Sequence, residues 1–311
     1  MRILLTGGNG FIGGHMAEAL LAEGGHTLTG LSRTPDWPAP LKHLAPSIPL
    51  HLGELADTAG LTTLLGTLKP DWIFHFAGYA NTAKSFKEAD LCWKDNLDGT
   101  RSLYDAVIKS GTSPRILFVS TGLIYGDGEL CSETTELRPA SPYAASKAAA
   151  DVMSFQYAKQ GLHVIRVRLF NQIGPRQSAD YSIANFARQI AAVEAGKQSV
   201  IETGDLSAKR DITDVRDIVT AFRLLMEKGV AGEAYNAGRG ETYQIQHALD
   251  KLIALAKVPV EVKVKLDPNR KADTVMTRAD TTKLKATTGW QPKYSLEESL
   301  RDILEYWRIL S

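Results

Sequence analysis

The stretch Thr6-Gly7-Gly8-Asn9-Gly10-Phe11-Ile12-Gly13 constrains this chain most, because of where it stands. It follows an apolar run, Arg2–Thr6, that reads as a buried strand. It opens a helical pattern, Phe11–Glu23, that Gly24-Gly25 closes. The backbone must turn from strand to helix within a few residues. Small side chains at such a turn let a pyrophosphate approach the backbone, and the first N–H groups of the helix are available to bind it. Two frames fit, G-x-x-G-x-x-G from Gly7 and G-x-G-x-x-G from Gly8. A glycine match alone describes many tight turns; its place between a first strand and a first helix is the context a dinucleotide loop requires.

The strand–helix rhythm continues. His26–Ser32, Ile48–Leu52, Asp71–Ala77, Arg115–Ser120 and His163–Phe170 read as strands, and Leu61–Leu68, Asp90–Lys109 and Pro142–Lys159 as helices. Such alternation predicts an α/β fold: a Rossmann-type, doubly wound parallel sheet. Past Phe170 the pattern turns irregular, with loops expected at Asn171–Tyr181 and Ile201–Lys209. Residues 1–170 are therefore expected to form the dinucleotide-binding domain. Residues 171–311 are expected to form mainly a smaller C-terminal substrate-binding lobe, with some segments returning to the first domain. The 311 residues, 44% of them hydrophobic, can bury a core of that size. A formal net charge of +1 points to no nucleic-acid or membrane surface. Cys92 and Cys131 stand in no metal or redox spacing, and the seven histidines show no paired ligand pattern. No apolar run approaches the ~20 residues of a membrane span. MRILLTGG enters a strand at once, without the apolar stretch of a signal peptide, so a cytoplasmic location is expected.

Where a second Rossmann strand ends, an acidic residue usually bonds the ribose 2′-hydroxyl of NAD. Here the strand ends Gly30-Leu31-Ser32-Arg33, with no acid. Ser32 and Arg33 suit a 2′-phosphate instead, the arginine by charge-assisted hydrogen bonds, which favours NADP(H) over NAD(H). An arginine at this place is also compatible with an ordinary solvated surface. Glu54 and Leu55 follow the third strand, where the acid can accept from the adenine amino group or simply start a helix.

Ser141-Pro142-Tyr143-Ala144-Ala145-Ser146-Lys147 is the second informative stretch. Ser141 is a good N-cap and Pro142 suits the first helical position. Tyr143 and Lys147 then share one helical face. A free tyrosine, with a pKa of ~10, exchanges protons poorly at neutral pH, and a neighbouring cation lowers that value. The pair is a plausible general acid/base. Y-x-x-x-K occurs often by chance, but here it follows a dinucleotide loop. Ser120-Thr121-Gly122 ends the strand Arg115–Ser120, at the carboxyl edge where open α/β sheets bind ligands. A hydroxyl there can stabilise charge on a reacting oxygen, although strand ends often carry hydroxyls for turn formation alone.

Together these stretches resemble the extended short-chain dehydrogenase/reductase family, in its nucleotide-sugar branch. TGGNGFIG, FHFAG (Phe74–Gly78), NLDGT (Asn96–Thr100), STGLIYG (Ser120–Gly126), SPYAASK, LFNQIGPRQ (Leu169–Gln177), RDITDVRDIV (Arg210–Val219), YNAG (Tyr235–Gly238) and TGW (Thr288–Trp290) run in the family's order over nearly the whole chain. The resemblance implies Thr121, Tyr143 and Lys147 as the catalytic group and Asn96 as a structural-catalytic asparagine. It implies a cofactor held by Gly7, Gly10, Phe11, Ile12, Gly13, Ser32, Arg33, Glu54, Leu55, Ala77, Asn96, Tyr143, Lys147 and Phe170. It implies Asn171, Arg176, Arg210 and Arg270 facing a nucleotide-diphosphate sugar, and arginine forks do match phosphate oxygens. Arg176 stands where the family's N-x-I-G-P-G-Q has its second glycine. Arg270-Lys271-Ala272-Asp273 departs from the family's Arg-Pro-x-Glu. A homodimer, formed through Asp90–Lys109 and Pro142–Lys159, is implied as well.

Within the branch the resemblance is strongest to reductases of GDP-4-keto-6-deoxy-D-mannose, which yield GDP-D-rhamnose. Sugar 4,6-dehydratases of the family carry an acid two residues before the tyrosine of the Y-G pair, often after an aspartate. The matching positions here are Leu123 and Gly122. A 4-epimerase with retained NAD would use the same trio as a reductase. A non-enzymatic cofactor sensor would have no need of it.

Overall fold

The computed structural model describes residues 1–266 and 276–311. Seven described strands form one parallel sheet: β1 (Arg2–Thr6), β2 (Thr27–Ser32), β3 (Leu50–Leu52), β4 (Trp72–His75), β5 (Arg115–Thr121), β7 (His163–Leu169) and β11 (Ala234–Ala237). A short strand, β6 (Gly128–Cys131), lies outside it. The spatial order is β11-β7-β5-β4-β1-β2-β3, so the chain reverses direction across the sheet between β1 and β4. All six pairings are parallel. The alternation of short apolar runs with helical patterns demands this arrangement, because parallel neighbours need crossover helices and both sheet faces are then covered.

Helix α1 (Phe11–Glu23) starts and stops where its glycines place it. It covers one face together with α8 (Val215–Lys228), and Met16, Leu20, Phe74, Phe222 and Trp290 share that core. Helices α2 (Thr58–Leu68), α5 (Gly99–Lys109) and α6 (Pro142–Lys159) cover the other face, around Leu61, Tyr104, Phe118 and Val164. The continuous helix expected over Asp90–Lys109 is interrupted. After the short α3 (Thr82–Ser85) and α4 (Ala89–Cys92), residues Trp93–Asp98 form a π turn that runs into α5. The apolar periodicity does not register this extra residue, because the turn's purpose is to place one polar side chain, Asn96, which is fully buried.

The second half builds its own layer. Strand β10 (Lys209–Asp214) pairs with β8 (Asn171–Ile173), with β12 (Thr242–Gln244) and with β14 (Met276–Ala279), which also pairs with β6. β9 (Val200–Thr203) and β13 (Glu261–Val264) form a separate pair. The expected loops at Asn171–Tyr181 and Ile201–Lys209 thus each contain strand residues, which three- and four-residue strands conceal from a periodicity reading. Helices α7 (Ser182–Glu194), α9 (Ile245–Ala254) and α11 (Leu296–Leu310) enclose a core of Phe186, Ile190, Leu249, Leu300 and Leu304, while α10 (Thr282–Thr288) lies against α8. α8, α10 and β11 thus return to the first sheet. No described helix is long and apolar enough to cross a membrane.

Candidate active site

The dinucleotide loop selects one of the two glycine frames. Gly7 has φ +66°, and a Cβ there would lie 2.9 Å from the backbone nitrogen of Ala77. A Cβ on Gly13 would lie 2.2 Å from the carbonyl oxygen of Gly7 and 2.7 Å from Gly8 Cα. Gly7 therefore makes the turn, and Gly13 lets the helix pack on the loop; the frame is Gly7-Gly10-Gly13. Gly10 occupies the N-cap and provides no capping side chain, and the first intrahelical bond runs from Gly14 N–H to the Gly10 carbonyl at 2.9 Å. The N–H groups of Phe11, Ile12 and Gly13 thus face outward without helical partners, the arrangement that binds a phosphate.

At the end of β2, Ser32 is buried and accepts from Asn9 Nδ2 at 2.7 Å and from Thr34 N–H at 3.0 Å, so its hydroxyl braces the loop. Arg33 is 69% exposed at its side chain and lies 3.5 Å from Asp95 of the π turn. Glu54 is exposed beyond β3, and Leu55 is half-buried against Gly99, at the start of α5.

Thr121 and Lys147, two of the residues expected to serve proton transfer, meet at the carboxyl end of β5, and Tyr143 lies one turn before Lys147 on α6. Ser141 caps α6 by accepting from Ala144 N–H at 3.2 Å, and Pro142 occupies the first turn, as their residue types require. Lys147, one turn after Tyr143, is buried and donates to the Val119 carbonyl at 2.9 Å, which ties α6 to β5 two residues before Thr121. Burial pushes the Lys147 ammonium down to about 8. Thr121 is buried, and its Oγ1 accepts from Leu123 N–H at 3.3 Å, starting the turn Gly122–Tyr125. Asn96 donates through Nδ2 to Ser146 Oγ at 3.0 Å, and Ser146 donates to the Tyr143 carbonyl at 2.8 Å. Gly78 passes close by: a Cβ there would be 2.6 Å from Asn96 Oδ1 and 3.6 Å from Lys147 Nζ. Phe170 is buried with its ring against Gly122, where a Cβ would come within 2.9 Å of it. Tyr125 is a core residue, donating to Asn236 Oδ1 at 2.7 Å and accepting from Arg168.

Of the residues expected to face the substrate, Asn171 and Arg210 lie on the neighbouring strands β8 and β10, with Asn171 opposite Ile212. Asn171 is exposed on β8. Arg210 lies on β10, half-buried, with Nη1 donating to the Lys209 carbonyl at 3.0 Å. Its sequence neighbour Asp211 turns the other way: it is fully buried and accepts from the N–H groups of Arg239, Gly240 and Ala279. Burial outweighs those donors and pushes its carboxyl up to about 6. Arg176 is turned to α1, where its guanidinium grips Glu18 at 3.0 and 2.5 Å and donates to His15 Nδ1 at 3.0 Å. An arginine engaged in that fork holds the Gly174-Pro175-Arg176 loop to α1. Arg270 lies outside the described residues. Among the described residues no group of His, Cys, Asp or Glu is arranged to hold a metal ion.

Sequence reading missed three groups that the fold brings together. His75 was visible only as a letter of FHFAG. Asp151 of α6 forms a buried ion network with Arg166 and Arg168, and Arg168 donates to the Tyr125 hydroxyl. Asp95, which meets Arg33, belongs to the π turn. None is adjacent in sequence to the residues it meets; His75 lies within FHFAG and Asp95 just before NLDGT, while Asp151, Arg166 and Arg168 fall in neither block.

A reversing parallel sheet, a glycine loop against its first helix, and a helix that carries Tyr143 and ties Lys147 to the end of β5 are features of a dinucleotide-dependent enzyme of the extended short-chain dehydrogenase/reductase type. The family model described as GDP-mannose 4,6 dehydratase matches residues 4–303, and the chain belongs to that family. It is 32% identical to the GDP-6-deoxy-D-mannose reductase of Pseudomonas aeruginosa, over 98% of this chain and 97% of that protein. It is 31% identical to the UDP-glucose 4-epimerase of Mycolicibacterium smegmatis, over 99% of each. The solved structure of RMD from Pseudomonas aeruginosa complexed with NADPH superimposes with a TM-score of 0.85 at 31% identity, covering 100% of this chain and 99% of that one.

Proposed function

We propose that this enzyme reduces a 4-keto-6-deoxy nucleotide sugar with NADPH, converting GDP-4-keto-6-deoxy-D-mannose to GDP-D-rhamnose. The observation that carries this reading is the turn after Thr121. Gly122 is pressed against the Phe170 ring, so no side chain fits there, and Leu123 has no proton to exchange. Water elimination across C5 and C6 needs an acid/base at this place. The nearest carboxylates in sequence lie beyond Tyr125: Glu129 is exposed, and so is Asp127, which accepts from Met276 N–H at 3.2 Å. A carbonyl reduction needs only what is present. Bound NADPH supplies a hydride. Thr121 holds the C4 oxygen, Tyr143 gives it a proton, and the Lys147 cation favours the phenolate that remains. The likeness to a GDP-6-deoxy-D-mannose reductase supports the same choice.

For the cofactor, Gly7, Gly10, Phe11, Ile12 and Gly13 take the pyrophosphate, with Ala77, Asn96 and Phe170 toward the nicotinamide and Glu54 and Leu55 toward the adenine. Arg33 takes the 2′-phosphate. Its exposed pairing with Asp95 does not stand in the way, since such pairs contribute only about 0–1 kcal/mol. The solved neighbour that holds NADPH supports the preference. Arg210, Asn171 and Arg270 are assigned to the nucleotide diphosphate. Leu91, Trp93, Val152 and Phe155 are exposed on α4, the π turn and α6, which supports pairing of those helices in a homodimer.

The test is NADPH oxidation with preformed GDP-4-keto-6-deoxy-D-mannose, giving a 6-deoxy sugar product. Arg33→Ala should weaken NADPH about 10- to 100-fold and leave NADH binding unchanged, as loss of one charge-assisted contact of ~1.5–3 kcal/mol implies. Accumulation of a 4-keto product from GDP-mannose and NADP⁺ would return the enzyme to the dehydratases. Tightly retained NAD with interconversion of UDP-hexoses would make it an epimerase.

A further inference from the structure

His75 lies beneath the dinucleotide loop, fully enclosed, with both ring nitrogens bonded. Counting hydrogens fixes the direction of each bond. Thr100 gives its hydroxyl hydrogen to the Asn96 carbonyl at 2.6 Å, so its Oγ1 accepts from His75 Nε2–H at 3.0 Å. A neutral ring protonated on Nε2 has a bare Nδ1, which accepts from the Thr6 hydroxyl at 2.8 Å. Thr6 Oγ1 in turn accepts from Ala77 N–H at 3.2 Å. Burial, with Lys147 adding to it, pushes the imidazole down to about 3, so the neutral ring and its bond directions persist through the neutral range.

This chain of bonds ends at two places that serve different halves of the reaction. One end is Ala77, whose backbone nitrogen stands 2.9 Å from where a Gly7 Cβ would be, and which therefore supports the glycine loop. The other end is Asn96 in the π turn, which reaches the Tyr143 carbonyl through Ser146. We propose that His75 is a positioning residue with two arms, one through Thr6 that sets the dinucleotide loop and one through Thr100 that sets Asn96 and the start of the Tyr143–Lys147 helix. It rests on the roles proposed above for those residues. His75 itself reaches no reacting atom; it holds the cofactor's seat and the proton donor in one register.

Two amide substitutions separate the arms. An asparagine amide reaches where Nδ1 stands, and a glutamine amide reaches where Nε2 stands. His75→Asn keeps the Thr6 arm and breaks the Thr100 arm. Turnover at saturating NADPH should fall about tenfold, with a smaller change in the NADPH Kd, a size consistent with one buried hydrogen bond. His75→Gln keeps the Thr100 arm and breaks the Thr6 arm, so the NADPH Kd should rise about tenfold and turnover should fall by less. Thr100→Val should reproduce the first pattern and Thr6→Val the second, which covers the case in which a histidine variant fails to fold; thermal unfolding reports that. A purely structural histidine would instead lower turnover, cofactor affinity and melting temperature together in both histidine variants, and that result would overturn the proposal. If the wild-type protein fails to reduce the keto sugar, the proposed reaction is wrong, and cofactor titrations alone decide this point. A Kd raised about tenfold in His75→Gln and Thr6→Val and by clearly less in His75→Asn and Thr100→Val upholds the two arms; an equal rise in all four removes them.

Discussion

In the proposed reaction Tyr143 and Lys147 divide one task. Lys147 sits in the core, and burial alone takes its ammonium down to about 8, so it stays mostly charged at pH 7. A cation one helical turn away favours the phenolate over the phenol. Tyr143→Phe should therefore fold and keep most of its NADPH affinity while losing ~10²–10⁴-fold in turnover, the usual worth of a general acid. Thr121→Ala should lose less, because it removes a hydrogen bond and leaves the donor in place. Near wild-type turnover in Tyr143→Phe would withdraw the assignment. At this scale the Y-x-x-x-K spacing and the S-P cap were legible, because a helix converts four residues into one face whatever surrounds it. The depth of Lys147 and its bond to Val119 were not, because they depend on how α6 lies against β5.

Among the elements, the loop Gly174-Pro175-Arg176 shows how a departure from a pattern is accommodated. Arg176 has φ +72°, a left-handed conformation that explains why the family's pattern has glycine there. An arginine in that region bears about 1–2 kcal/mol of strain. Its fork on Glu18, partly buried at 18% and 30% exposure, offsets that strain and clasps β8's loop to α1. Arg176→Ala loses the clasp and keeps the strain, whereas Arg176→Gly loses both. The glycine variant should thus be the more stable of the two by about 1 kcal/mol, reversing the usual order of alanine over glycine. Denaturant melts of the pair decide it; an alanine variant equal to or above glycine would remove the strain from the account. The RDITDVRDIV block has a similar lesson. Asp211 and Asp217 accept backbone N–H groups from distant loops, and Asp214 caps α8 and accepts from Ser299, so much of that block is scaffold.

For the whole molecule, pH is the sensitive variable. His15, between the Pro175 carbonyl and the Arg176 guanidinium, is pushed down to about 4 by burial and then by Arg176, and His75 to about 3. Both are neutral in the fold, while free imidazole titrates near 6.5. From pH 6.5 down to about 4 the unfolded chain therefore binds more protons, and stability falls as pH drops through that window. Asp211 opposes this. Pushed up to about 6, it takes its proton more readily in the fold between there and its ordinary 3.8, which adds stability on acidification. Two imidazoles outweigh one carboxyl, so the urea midpoint should be lower at pH 5 than at pH 7. A midpoint that holds or rises at pH 5 would show that the imidazoles do not govern the response.

The sequence by itself determined the parallel α/β architecture, the glycine loop and the helix that sets Tyr143 one turn before Lys147. Each depends on local rules: period, caps, and a turn that only small residues can make. Tertiary structure decided between the two glycine frames, because only the approach of Ala77 and Gly8 distinguishes Gly7 and Gly13 from their neighbours. It placed the π turn, which adds one residue to a helix without altering its composition. It turned Arg176 to Glu18 and buried Asp211 away from Arg210, since the partner of a charge is whatever the fold brings within about 4 Å of it. It also joined Thr6, His75, Thr100 and Asn96 into one line of hydrogen bonds across two strands and a helix, a relation between distant positions that no local spacing encodes.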